Sequence, residues 1–170
     1  MTPSNNSGNS TIERAAAALP ANLDGLRELS IKVESVFIYR ALACSCGGDG
    51  TVLATPSGND ELPFLDPISF SCTACGKSTV FFDSQRDGYD GRLNGGACYE
   101  QGTAPQIIPC ESCSGSAMAL ECGLAYNTDF EEEGDIELLD QAPDLFDSID
   151  VNVRCKNCGS VQHVGAWELA

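Results

Sequence analysis

FSCTACGKSTVFFD, residues 70–83, is echoed by VRCKNCGSVQHVGA, residues 153–166. In each stretch an apolar residue and one further residue precede Cys-x-x-Cys-Gly, and a strand-like run follows. Two intervening residues place both sulfurs on one side of a tight turn, and the glycine accepts a backbone geometry that other residues resist. The flanks are rich in β-branched and aromatic residues, so each motif reads as strand, turn, strand. Upstream of each lies another cysteine pair, ACSCGG at 43–48 and PCESCSG at 109–115. The chain therefore reads as two copies of one unit, roughly 31–83 and 106–170.

Ten cysteines in 170 residues demand either disulfides or metal. A disulfide within Cys-x-x-Cys closes a very small ring. A thioredoxin-type redox motif needs its first cysteine at a helix N-terminus, whereas strands flank both turns here. Metal is the better reading. Zinc takes four thiolates tetrahedrally, with no preference from its filled d shell. Cys110, Cys113, Cys155 and Cys158 have the spacing of two facing knuckles, with Ser114 in one glycine position. Cys44, Cys46, Cys72 and Cys75 form the other set, but Cys44 and Cys46 are separated by one residue. On an extended strand that spacing leaves both side chains on one face. An arrangement replacing Cys44 by Cys98 competes with it. Two zinc ions are expected.

These paired knuckles resemble the zinc-ribbon class over about residues 44–83 and 110–165. That resemblance implies a structural metal in a small β unit, and the class serves transcription, ribosomes, tRNA enzymes and plain scaffolds alike. VFFDSQRDGYDGRLNG, residues 80–95, also resembles stretches of uncharacterised bacterial proteins with similar knuckles.

The expected architecture is mainly β with a short helical N-terminal element and two zinc-ribbon-like units in tandem. Residues 1–10, rich in Ser, Asn and Gly, read as disordered. Residues 11–30 read as an Ala-rich helix broken at Pro20, then a turn or second short helix. The first unit spans 31–105, with strand signal over 31–44 and 51–54, loop over 55–68, and a glycine-rich loop after residue 83. The second spans 106–170 and carries an acidic insertion at 129–150, which has ten acidic side chains and no basic one.

The formal net charge is −16, and each four-thiolate zinc centre adds two further negative charges. Such a field repels phosphate backbones, which need clustered Lys and Arg. It favours a basic protein partner and speeds its encounter. The N-terminus lacks a basic leader, the apolar run at 15–20 is too short for a signal core, and nothing approaches a membrane span. The expected compartment is the cytoplasm.

Candidate partner-binding residues are Tyr89, Asp90 and Arg92 in the glycine-flanked loop, since Tyr and Arg anchor interfaces, and Glu131, Glu132, Glu133 and Asp135 in the acidic insertion. Cys98 and Cys122 are left over and read as small buried residues or spare thiols. His163, the single histidine, reads as a strand residue. No His-x-Glu occurs, which removes the zinc-deaminase arrangement. The leading expectation is a non-enzymatic acidic binding protein of immunity or inhibitor type. A nucleic-acid or transcription-machinery zinc ribbon is the alternative, and an enzyme using a spare thiol the third reading.

Overall fold

The computed structural model describes residues 12, 13, 16, 22, 23, 25–57, 64–83, 104–126 and 146–168. These form ten strands: β1 (Asn22–Leu23), β2 (Leu26–Glu34), β3 (Phe37–Cys44), β4 (Gly50–Pro56), β5 (Phe64–Cys72), β6 (Ser78–Phe82), β7 (Gln106–Ile107), β8 (Met118–Tyr126), β9 (Phe146–Cys155) and β10 (Val161–Glu168). All join one antiparallel sheet. The mainly β expectation holds.

The helical N-terminal element is not supported among the described residues, and most of residues 11–21 lie outside them. Asn22–Leu23 and Leu26–Glu34 are strands. Ile12, Glu13 and Ala16 have helical backbone, but no helix is established among the described residues. The strand signal over 31–44 splits into a hairpin: β2 pairs with β3 from Leu26↔Cys44 to Glu34↔Phe37. Its two-residue turn places Ser35 at φ 54°, the positive value that tight hairpins require. The loop expected over 55–68 is likewise cut short by β5, which contains Pro67. Pairing with β4 shifts register between Leu53↔Ser69 and Thr55↔Leu65. Pro67 falls in that irregular stretch, where a missing N–H is tolerated.

Two lines of strand run antiparallel through the middle of the sheet. β3 pairs with β8 as far as Leu42↔Leu120, and β4 resumes on the same edge at Gly50↔Met118. β8 and β7 in turn lie end to end along β4, through Gly50↔Met118 and then Leu53↔Ile107. Each line loops out one cysteine knuckle at its junction. The hairpin β5–β6 then adds to β4, and β9–β10 adds to β8. This reciprocal pairing is the repeat seen in the sequence. The Thr73 amide donates to the Asp49 carbonyl as the Lys156 amide donates to that of Ala117, both at 2.9 Å.

The two units are thus not separate beads in tandem, because their strands interleave. A three-stranded ribbon buries too little apolar surface to stand alone and leaves its edges open. Interleaving covers the edges of β4 and β8 and pools the apolar faces. Leu42, Val52, Phe70, Leu120, Val151 and Val153 form one buried core with the ends of the cysteine-bearing strands. The sheet curls until its outermost hairpins meet, with the rings of Phe82 and Trp167 4.5 Å apart. A smaller cluster joins Ile12, Ala16, Ile38, Tyr126 and Phe146.

Gly50 sits at the crossing. A Cβ there would lie 2.6 Å from the Ser71 carbonyl oxygen and 2.3 Å from the Phe70 ring. Only glycine lets the first knuckle's exit strand approach β5 this closely.

Candidate metal centres

Each cysteine quartet combines a looped-out knuckle with a hairpin tip. Cys44 ends β3 and Cys46 follows in the loop, while Cys72 ends β5 and Cys75 lies in the turn to β6. Cys110 and Cys113 lie between β7 and β8, while Cys155 ends β9 and Cys158 lies in the turn to β10. The local reason is shared. In Cys72–Gly76, Cys110–Ser114 and Cys155–Gly159 the fifth residue's amide donates to the first cysteine's carbonyl, at 3.0, 2.7 and 2.9 Å. The first cysteine's amide also closes back onto the carbonyls of Lys77, Gly115 and Ser160. The Cys-x-Cys knuckle makes a tighter version, in which the Gly47 amide donates to the Cys44 carbonyl at 2.8 Å.

The residue after the second cysteine takes positive φ in all four knuckles: Gly47 82°, Gly76 71°, Ser114 57° and Gly159 77°. A Cβ on Gly76 or Gly159 would meet nothing within 4 Å, so the backbone angle alone selects glycine there. Ser114 therefore bears a conformational cost of about 1 kcal/mol. Ser114→Gly will raise the stability of the metal-loaded protein by up to about that amount in urea unfolding; a loss of stability would contradict this account.

Within each quartet the four sulfurs lie inside 4.8 Å of one another. Cys44–Cys75 and Cys46–Cys72 are 3.6 and 3.5 Å apart, and Cys110–Cys158 and Cys113–Cys155 are both 3.6 Å apart. A tetrahedron with zinc–sulfur bonds of about 2.3 Å has an edge of about 3.8 Å, against about 2.05 Å for a disulfide. All nine described cysteines are free thiols. Two quartets, each able to hold one metal ion, are therefore present. In both, the first cysteine of each pair is buried and the second exposed. Four thiolates of this kind suit zinc in a closed structural site.

The thiols are tuned by close donors. The Gly48 amide, 3.3 Å from the Cys46 sulfur, pulls that thiol down, but Cys44, Cys72, Cys75 and burial outweigh it and push it up to about 12. The Cys75 amide leads in bringing Cys72 down to about 7. In the second quartet the Ser160 hydroxyl leads in bringing Cys110 down to about 6, and it also lowers Cys158. Cys113 is pulled down by the Gly115 amide, yet Cys155, Cys158 and burial push it up to about 12. A cation bound by four thiolates displaces the thiol protons.

Cys44 belongs to the first quartet; Cys98, its proposed substitute, lies outside the described residues. So do Tyr89, Asp90, Arg92, Glu131, Glu132, Glu133 and Asp135, and most of the expected acidic insertion. The last residues of that insertion, 146–150, begin strand β9. Cys122 is buried, and burial pushes its thiol up to about 12, which keeps it protonated and poorly nucleophilic. His163 stands on β10 with its Nδ1 3.0 Å from Asp150 and belongs to neither quartet.

Two features escaped the sequence reading. Arg40, opposite Cys122 on β3, is buried on the core face, with its Nε donating to Glu28 at 2.7 Å. Ser160 places its hydroxyl 3.1 Å from both Cys110 and Cys158. A serine just after Cys-x-x-Cys-Gly was the available signal for the second. For Arg40 there was the period-two alternation of β3, which puts it in phase with Ile38 and Leu42.

No family model, no curated protein and no solved structure matches this chain.

Proposed function

We propose that this chain is a zinc-stabilised, non-enzymatic binding protein, acting in the cytoplasm by masking a basic protein partner in the manner of an immunity protein or inhibitor. The observation that carries the reading is the pairing of two closed four-thiolate quartets with a net charge of −16. Closed quartets leave no coordination position for a substrate, so their role is to hold a small sheet rigid. Cys122 adds support, because its buried thiol is unsuited to attack.

Among the described residues, four of the six cations, Lys32, Arg40, Arg154 and Lys156, pair with Glu34, Glu28, Glu121 and Asp49. That weighs against phosphate recognition, which needs clustered unpaired cations. The acidic excess instead matches a positively charged protein surface.

Calorimetric titration of the metal-loaded chain with a panel of cationic nucleases and other basic proteins, at low and physiological salt, tests this. We expect at least one to bind, with affinity weakening about tenfold or more as salt rises. Neutralising Glu131, Glu132, Glu133 and Asp135 to amides will weaken it further. Binding indifferent to salt, or tight binding of nucleic acid instead, would overturn the proposal.

A further inference from the structure

We infer that the two metal centres are unequal: the Cys44, Cys46, Cys72, Cys75 centre exchanges its metal readily, while Ser160 locks metal into the Cys110, Cys113, Cys155, Cys158 centre. The inference rests on reading both quartets as zinc centres. It adds a positioning role for Ser160 and a division of labour between the repeats.

The repeats make the comparison direct. Cys155-Lys-Asn-Cys158-Gly159-Ser160 corresponds position by position to Cys72-Thr-Ala-Cys75-Gly76-Lys77. Both hairpin tips close with the same backbone bonds. What differs is the side chain after the glycine. The Ser160 hydroxyl stands 3.1 Å from Cys110 and 3.1 Å from Cys158, so it spans from one knuckle to the other. Once a metal has taken the place of the thiol protons, which pass to water, the sulfurs can only accept. The hydroxyl must then be the donor, giving its single proton to one sulfur or sharing it between the two, and hydrogen bonds to charged acceptors are about twice as strong as neutral ones.

At the matching place the first centre has Lys77, whose ammonium end lies against Gly25. Among the described residues, the sulfurs of that centre take hydrogen bonds from backbone amides and from one another, with no side-chain hydroxyl among their partners. Its Cys-x-Cys loop is also the odd one of the four, closing from Gly47 to Cys44 over three residues where the others close over four. The first centre therefore has no hydroxyl donor to its thiolates and one tighter knuckle.

The second centre carries further support on its rim. The Glu111 amide donates to the Gln162 side-chain carbonyl at 3.1 Å, and the Gln162 amide donates to the Pro109 carbonyl at 3.2 Å. Gln162 thus ties β10 to the start of the Cys110 knuckle, so the two halves of that quartet are held together by side chains as well as by metal. A chelator must separate those halves before it can take the ion. The first centre has its own tie between halves, the Thr73 amide and hydroxyl on the Asp49 carbonyl, both at 2.9 Å, of which the amide bond is matched at the second centre by Lys156 on Ala117.

The test is zinc release from the full-length, two-zinc protein into excess chromogenic chelator. As each ion leaves for the chelator, its four thiolates take up protons from water. Two phases of one zinc each are expected. Cys46→Ser should remove the fast phase and leave the slow one. Ser160→Ala should speed the slow phase about tenfold, leaving the fast phase unchanged, and Ser160→Thr, which keeps the hydroxyl, should restore the slow rate. Should Cys46→Ser fail to fold, the two Ser160 variants still assign the slow phase. A single phase for both ions, or an unchanged slow phase in Ser160→Ala, would overturn the inequality. Absence of zinc from the purified protein would instead overturn the reading of the quartets as zinc centres.

Discussion

Stripping both metals will unfold the sheet. We expect a dialysed, reduced, metal-free chain to lose its β-type far-ultraviolet signal and the near-ultraviolet bands of Trp167, and to regain both on adding two equivalents of zinc. The reason lies in where the quartets sit. Cys44, Cys72, Cys110 and Cys155 are themselves part of the buried core. Two of the four knuckles are looped out of the central strands, on either side of Gly50↔Met118. Without metal, only a few hydrogen bonds, such as Thr73 to Asp49 and Gln162 to Pro109, hold those loops to the hairpins. A structural zinc in a small domain contributes about 10 kcal/mol or more near neutral pH. The whole stability of a domain this size is about 5–15 kcal/mol. Losing two such centres exceeds it. Acid should act the same way, because protons compete with metal for thiolates. A cooperative thermal transition of unchanged midpoint after metal removal would contradict this.

Glu28→Ala will cost about 3 kcal/mol in urea unfolding, far more than a surface charge deletion. The Arg40 side chain is 3% exposed and its partner Glu28 21%. Arg40 sits between the two apolar clusters, on the face it shares with Ile38 and Leu42. Removing the carboxylate leaves a buried guanidinium without that compensation, and this is the expensive half of a buried ion pair. Replacing both partners by apolar residues, Glu28→Leu with Arg40→Met, should cost much less than Glu28→Ala alone. A loss below about 1 kcal/mol in Glu28→Ala would show the pair to be a surface contact in its energetics.

The ligands were legible because their chemistry is local. A Cys-x-x-Cys-Gly turn is a few residues long, and its hydrogen bonds and positive φ are written into those residues. The second quartet follows from spacing, whereas for the first spacing left Cys98 competing with Cys44, and the structure places Cys44 in the quartet. The repeat was legible for the same reason.

What failed was non-local. LRELS at 26–30 has good helix formers and reads as a turn or short helix, yet pairing with β3 makes it strand; tertiary context overrides a propensity worth only tenths of a kcal/mol per residue. The turn at Ser35–Val36 lacks the Gly, Asn or Asp that usually marks a hairpin, so two strands read as one. Pro67 suggested loop, because nothing local shows that β4 and β5 slip register there. The interleaving of the two units depends on pairs such as Leu42↔Leu120, which no sequence window can contain. Ser160 became visible only when its hydroxyl was seen between sulfurs contributed by two knuckles.

The measurement that tests the central claim most directly is elemental analysis of the purified, reduced protein together with thiol counting under native conditions. The two quartets predict two zinc ions per chain, with Cys98 and Cys122 as the two thiols outside the metal centres. A folded protein with no bound metal, or with its quartet cysteines in disulfides, would contradict the account.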